Sequence, residues 1–382
     1  MIDSLAAATT KLRDLAAARS PHGEFLTVTL STSRLDDWRQ LGPTFLNSES
    51  ARMSREGTLS KDQKHALESE IAEIAAVLQY DLTDSTQGLA LFADGDGSIY
   101  QRIELPFRLI NRLVLEPSPY IRPVVHALCL LEPFIVARVS RDESSLYLVD
   151  EWGGVVREGD LTGPWLKTSD RETGELSIKD YFAAARQDSL VELHYKEVAA
   201  TLAKWLEASP ARRVVLCAQH DIASNFRHTL SPAVAPKVDA EISYDAADTI
   251  GQMLVAARTA ANEARQRAIA QLLGRINEGL GSKGRGAVGF QEVMDGFERA
   301  QIQTMVVDRN YRPPGWRCPG CNWAGLEPVT ECPLCGGTPV PISDAVGELV
   351  RLAILQDTRV DVAEDIPALD EMGGVAAQLR FA

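Results

Sequence analysis

No stretch of this chain approaches the roughly 20 consecutive apolar residues that a membrane-spanning helix needs. The first twenty residues, MIDSLAAATTKLRDLAAARS, are amphipathic and lack an apolar core of secretory length. The expectation is a cytoplasmic protein without a membrane partner. Cysteine is scarce, six in 382 residues, and no disulfide framework can be read from it. Positive charge is outnumbered, 39 Lys and Arg against 53 Asp and Glu, for a formal net charge of -14. Such a chain is not drawn to nucleic acid by its overall field, so RNA contact must use local basic patches, and DNA is not an expected partner. Histidines 22, 65, 126, 194, 220 and 228 show no metal spacing, and no G-x-S-x-G lies near them. Internal repeats and low-complexity segments are absent as well.

What is present is a mixed α/β pattern too long for one core. Phe25 to Leu30 and Gly88 to Ala93 read as buried strands, with Ile99 to Ile103 following a turn at Asp94 to Gly97. Between them Leu67, Ile71, Ile74 and Leu78 recur at helical spacing. A proline-rich joint at 116–123 closes a first domain, 1–128. In a second domain, 129–256, Phe134 to Val139, Leu146 to Asp150 and Gly154 to Arg157 form a meander, its second turn at Trp152-Gly153. A helix carrying Val191, Tyr195, Val198, Leu202 and Trp205 on one face and a buried strand from Arg212 to Cys217 complete a mixed sheet covered by helices. Asp245 reads as the N-cap of a long helix with a narrow seam of Ile250, Leu254, Ala257, Ala261, Ala264, Ala268 and Leu272. The third domain, 257–382, holds a helix from Gln291 to Ala300, a strand from Ile302 to Val307, and a helix capped by Ser343. Late strands are predicted at Arg359 to Val362 and Gln378 to Phe381.

Chemistry concentrates in four cysteines. Cys318-Pro-Gly-Cys321 and Cys332-Pro-Leu-Cys335 are two C-x-x-C pairs, ten residues apart. Each pair can curl its thiolates toward one point, and two such knuckles supply the four soft ligands that tetrahedral zinc prefers. A four-cysteine site has no open position, so the ion is structural. The competing reading, a dithiol redox pair, occurs singly beside a βαβ pattern. Trp316 and Trp323 are expected to pack beside the site. Cys129 and Cys217 sit alone in apolar runs and read as small buried hydrophobes.

Other signals are weaker. Gly279-Leu-Gly281-Ser-Lys-Gly284 satisfies G-x-G-x-x-G but follows a helix instead of a strand, so a glycine-rich helix exit explains it. His220-Asp221 lies at a strand–helix corner, a place where catalytic groups sit and where polar residues are common anyway. Arg258, Arg265, Arg267, Arg275, Lys283 and Arg285 outnumber Glu263 and Glu278, so this segment can meet phosphate or simply face solvent.

The last third carries a resemblance. Gly286-Ala-Val-Gly289-Phe-Gln-Glu-Val-Met, then Ile302-Gln-Thr-Met-Val-Val, and the close Met372-Gly-Gly-Val375…Leu379-Arg380-Phe381 resemble the C-terminal domain of archaeal and eukaryotic class-one release factors and of Pelota. The resemblance implies a three-domain protein with an RNase H-like middle domain. It also implies an L7Ae-like α/β/α C-terminal domain with an inserted four-cysteine zinc ribbon. Release factors carry a Gly-Gly-Gln loop before the long helix of the middle domain, and it admits hydrolytic water at the peptidyl-transferase centre. Here no Gly-Gly-Gln occurs, and Ser177-Ile178-Lys179 stands at the aligned place. The codon-reading Asn-Ile-Lys-Ser is also missing. The pattern resembles a bacterial branch without Gly-Gly-Gln, the Balon-like ribosome hibernation factors. That branch implies occupation of the ribosomal A site beside elongation factor Tu, with rRNA contacts from Lys167, Arg171, Ser177, Ile178, Lys179, Arg265, Lys283 and Arg285. A peptidyl-tRNA hydrolase with a divergent loop and an off-ribosome zinc-ribbon scaffold are the alternatives.

Overall fold

The computed structural model describes residues 5–381 apart from 20–23, 34–36, 56–60, 81, 83–84, 95–98, 130, 151–152, 164–177, 244–248 and 282–283. The expected turn after Asp94, Trp152 and the Asp245 cap therefore lie outside the described residues. The chain divides into two compact units. One joins Met1–Leu130 to Ile269–Ala382, and the other is Leu131–Ala268.

The first unit begins with α1 (Leu5–Ala17), β1 (Phe25–Ser31), α2 (Trp38–Arg55), α3 (Lys61–Tyr80), β2 (Gly88–Ala93), β3 (Ile99–Leu105), β4 (Arg112–Glu116) and α4 (Arg122–Cys129). The strands form an antiparallel sheet in the order β3-β2-β1-β4, with Val28 opposite Leu91 on one side and Leu113 on the other. Successive side chains of a strand point to opposite faces. On one face Leu26, Val28, Leu30, Leu89 and Leu91 meet Trp38 and Leu46 of α2 and the predicted stripe of α3, all buried. On the other, the Tyr120 N–H donates to Thr27 Oγ1 at 3.0 Å.

The second unit contains β5 (Phe134–Arg138), β6 (Glu143–Val149), β7 (Val155–Thr162), α5 (Ile178–Ala208), β8 (Arg213–Cys217), α6 (His220–Arg227), β9 (Val238–Ile242) and the start of α7 (Ile250–Glu278). The sheet order is β7-β6-β5-β8-β9. The predicted meander is antiparallel, while β5–β8 and β8–β9 are parallel, so the sheet is mixed. Tyr195, Val198, Leu202 and Trp205 of α5 cover the face bearing Ile135, Ala137, Val214 and Leu216. Met253, Ala257, Ala261 and Ala264 of α7 cover the opposite face, which carries Cys217. Two seam residues fall elsewhere than predicted: Ile250 is 46% exposed and Ala268 is exposed, and Met253 and Ile269 are buried instead. The reason is that α7 serves two cores, changing its buried face where it passes from one unit to the other. Its start is closed by a Thr249–Gln252 capping box: the Gln252 N–H donates to Thr249 Oγ1 at 3.3 Å and the Thr249 N–H donates to Gln252 Oε1 at 2.9 Å.

The chain re-enters the first unit through the end of α7. There follow β10 (Gly286–Val288), α8 (Gly289–Glu298), β11 (Ile302–Asp308), β12 (Gly315–Arg317), β13 (Ala324–Gly325), β14 (Val340–Ile342), α9 (Ala345–Leu355), β15 (Arg359–Ala363), α10 (Pro367–Glu371) and β16 (Val375–Leu379). The sheet order is β10-β16-β11-β15, with β11–β15 parallel. Ile269, Leu272, Leu273 and Ile276 of α7, with Leu369 of α10, pack on Val306, Ala363 and Ala376. By strand alternation the other face belongs to α8 and α9, which gives an α/β/α sandwich. Gly374 needs its glycine, because φ is +75° and a Cβ would come within 2.4 Å of the Tyr311 ring. The last strand ends at Leu379, earlier than predicted. The cap of α9 is Asp344, whose Oδ1 accepts the Gly347 N–H at 3.0 Å, and not Ser343. Among the described residues no helix is long and apolar enough to cross a membrane.

Candidate metal centre

The three short strands β12, β13 and β14 pair in the order β13-β12-β14 and hold two turns over one point. In the first turn the Cys318 N–H donates to Trp323 O at 2.8 Å and the Asn322 N–H to Cys318 O at 3.1 Å. In the second, the Cys332 N–H donates to Gly337 O at 2.7 Å and the Gly336 N–H to Cys332 O at 2.9 Å. Asn322 (φ +66°) and Gly336 (φ +70°) reverse the chain in the left-handed region. Gly337 leaves room for the sulfurs: a Cβ there would lie 3.4 Å from both Cys318 and Cys335 Sγ.

All four sulfurs lie within 4.8 Å of one another. The short contacts run across the knuckles, Cys318 to Cys335 and Cys321 to Cys332, each at 3.4 Å. A redox dithiol would instead bring together the two members of one C-x-x-C pair. Tetrahedral coordination with metal–sulfur bonds of about 2.3 Å has edges of about 3.8 Å, so four sulfurs at this spacing fit a metal ion with little adjustment. Burial pushes the Cys321 thiol up to about 12, and its thiol neighbours add to this. Burial also works upward on Cys318, but backbone N–H groups of Cys321 and Gly320 and the Cys335 thiol outweigh it and bring Cys318 to about 7. Four thiolates at this spacing would repel one another, so all four can be charged at once only with a cation among them. Trp323 is buried against the cluster and Trp316 half-buried beside it, as the sequence predicts.

Behind the knuckles lies a buried polar network that no sequence motif announces. Arg122 donates to both oxygens of Asp344, at 2.8 and 2.7 Å, with both side chains 1% exposed. The Tyr120 hydroxyl donates to Asp344 at 2.6 Å and the Ser118 hydroxyl to Glu348 at 2.6 Å. Glu348 also meets Arg317 at 3.0 Å and Arg351 at 2.7 Å. Arg351 reaches the Ala16 carbonyl and Asn322 Oδ1, both at 2.9 Å, so the first knuckle is tied to α1 and α9. Glu116 takes the Ser343 N–H at 2.7 Å, and burial raises its carboxyl to about 7. One signal was available: Glu348 and Arg351 interrupt a helix that is apolar all round, which is where paired buried charges belong.

Of the predicted contact residues, Lys167, Arg171, Ser177 and Lys283 lie outside the described residues. Ile178 and Lys179 open α5, in its first turn. Arg265 is 4% exposed and Arg285 is exposed, its carbonyl accepting from the Leu379 N–H at 2.8 Å. The glycines after α7 make a tight exit, with the Gly286 N–H donating to Gly279 O at 2.9 Å. His220 opens α6, exposed, at the strand–helix corner. In the second unit His194 is buried 2.9 Å from Ser144 Oγ, and burial holds its pKa below the usual value.

Residues 119–264 match the profile of bacterial archaeo-eukaryotic release factor family 10. The chain is similar to that family over this stretch, which holds the second unit's sheet. Similar solved structures include an archaeal translation termination factor, aRF1, at 15% identity, covering 100% of this chain and 99% of that one with a TM-score of 0.27. Pelota from Archaeoglobus fulgidus is similar at 13% identity over 100% and 94%, with a TM-score of 0.33. A ribosome-bound archaeal Pelota, in a structure with ABCE1, is similar at 12% identity over 100% and 95%, with a TM-score of 0.41. No curated protein matches the sequence. The release-factor match takes in the α5 helix and the sheet it covers, and it ends within α7.

Proposed function

We propose that this protein is a ribosome-binding translation factor that occupies the A site without hydrolysing peptidyl-tRNA, as a hibernation factor does under stress. One observation carries the reading: a chain whose residues 119–264 match a release-factor family contains no Gly-Gly-Gln. Two glycines give a backbone able to approach the tRNA end closely, and Ser177-Ile178-Lys179 does not offer that freedom. Lacking the bare backbone, the domain binds where a release factor binds and leaves the ester intact. Lys167, Arg171 and Lys179 supply phosphate contacts near the tip, and Lys283 and Arg285 supply them near the exit of α7. Three working segments follow, 1–128 toward the decoding centre, 129–256 toward the peptidyl-transferase centre, and 257–382 on the factor side beside elongation factor Tu. The four cysteines hold zinc as a structural ion, for which four soft ligands and no open position are the chemistry.

A reconstituted peptide-release assay tests the reading. The expected result is binding to ribosomes carrying peptidyl-tRNA with no release above the spontaneous rate. Substantial release would make the protein a release or rescue factor with a divergent loop. Absence from ribosomal fractions of both growing and starved cells would instead leave an off-ribosome scaffold, a role that the acidic charge favours.

A further inference from the structure

The first unit carries a second feature, apart from the four cysteines. β4 is the last strand of its sheet and pairs on one side only, with β1. At its free side opens a cavity of about 610 Å³ lined by all five β4 residues. Phe45, Arg52 and Met53 of α2 form one wall, and Pro341 and Ile342 of β14 form the other. A wall built from the face of a strand would show alternate residues only, so lining by both parities means that the backbone edge itself faces the opening. A second cavity of about 900 Å³ continues past the shared Asn111 toward Arg108 and Arg309.

Leu113, Val114 and Glu116 are nearly buried, yet among the described residues nothing takes up the outward backbone groups of 112–116. Backbone N–H and C=O groups so placed need partners. Arg52 is already paired with Glu49 at 2.8 Å. Arg112 lies 5.8 Å over the Tyr120 ring and has no carboxylate partner among the described residues. Glu49 and Glu116 also line the groove, Glu49 paired with Arg52 and Glu116 taken up by Ser343, so the side chain left to recruit an opposite charge is Arg112. The β4 edge lies between a helix, α2, and a second strand edge, β14. The walls mix Phe45, Met53, Pro341 and Ile342 with Glu49 and Arg52, and offer nucleic acid one aromatic ring, Phe45.

We propose that this groove docks an extended segment of a partner protein, which adds to β4 as a fifth strand. The segment alternates apolar and polar residues and carries a carboxylate that meets Arg112. Main-chain hydrogen bonds supply the affinity, and the walls and Arg112 supply the selectivity.

Fluorescence anisotropy on the full-length protein tests this with fluorescein-labelled hexapeptides EVTVTV and KVTVTV and an octameric oligouridylate. The acidic peptide should bind about fivefold tighter than the basic one, the factor that one solvent-facing ion pair supplies. Arg112→Glu should reverse that order. Hydrogen exchange on the unsubstituted protein, which does not depend on the variant folding, should show amides of 112–116 slowed by EVTVTV. Equal binding of both peptides, unchanged exchange at 112–116, or protection there by oligouridylate instead of peptide would each overturn the proposal.

Discussion

Glu116 is a carboxyl that folding holds in an environment better suited to its neutral form. Its pKa rises from 4.5 to about 7 chiefly because it is buried, and the two donors of Ser343 offset only part of that. Below pH 4.5 the group is protonated in both states and contributes no penalty. Between 4.5 and about 7 the unfolded chain loses the proton first, so the native state binds more protons and stability falls as pH rises. A shift of this size corresponds to roughly 3 kcal/mol. Glu116→Gln keeps an acceptor for Ser343 and removes the titration. Its first unit should unfold at higher temperature than the unsubstituted protein at pH 8, with the gain vanishing near pH 4, as read by thermal melts across pH. Asp344 neutralises Arg122 at 1% exposure and caps α9. Asp344→Ala should cost about 3–5 kcal/mol in urea unfolding, because it strands a buried guanidinium.

The elements differ in how much of them the sequence displays. β1, β2 and β8 are legible because apolar runs bounded by turn residues have one outcome, and the α3 and α5 stripes because period 3.6 is a local property. The knuckles are legible because ligand spacing is local too. The cap of α9 is harder, since Ser343 and Asp344 are both good caps, and Glu116, 227 residues away, engages Ser343 instead. The α7 seam misleads in the same way: a helix serving two cores has no single stripe. Metal removal tests the ribbon as an element. If the four thiols hold an ion, its removal leaves three strands of three, two and three residues with too little apolar burial to hold their turns. Metal binding would then be coupled to folding. A chelator should red-shift tryptophan emission as Trp316 and Trp323 meet water, and should lower the melting temperature of the first unit by several degrees. Amide protection in the β5–β9 sheet should stay unchanged. The same chelation leaving emission untouched would mean that the four thiols hold no ion.

At the scale of the whole molecule, the least legible feature is that residues 1–130 and 269–382 share one compact unit. The contacts that join them, Arg122 to Asp344 and Ser118 to Glu348, span more than 200 residues and follow no period, so only the fold reveals them. Net charge, by contrast, is read directly from composition and constrains the proposed ribosome contact. Each phosphate neutralised by Lys or Arg releases counterions, and log affinity falls with log salt in proportion to their number. A chain of net charge -14, with Arg265 buried and Arg285 exposed, can present few such contacts at once. Ribosome binding measured by sedimentation between 50 and 200 mM salt, a range of ordinary use, should therefore show a log–log slope shallower than about −4. Arg285→Glu should make the slope shallower by about one contact while leaving the melting temperature unchanged. A steep slope, or one indifferent to Arg285, would place the contact surface on other residues, with Lys167, Arg171 and Lys179 the first to test.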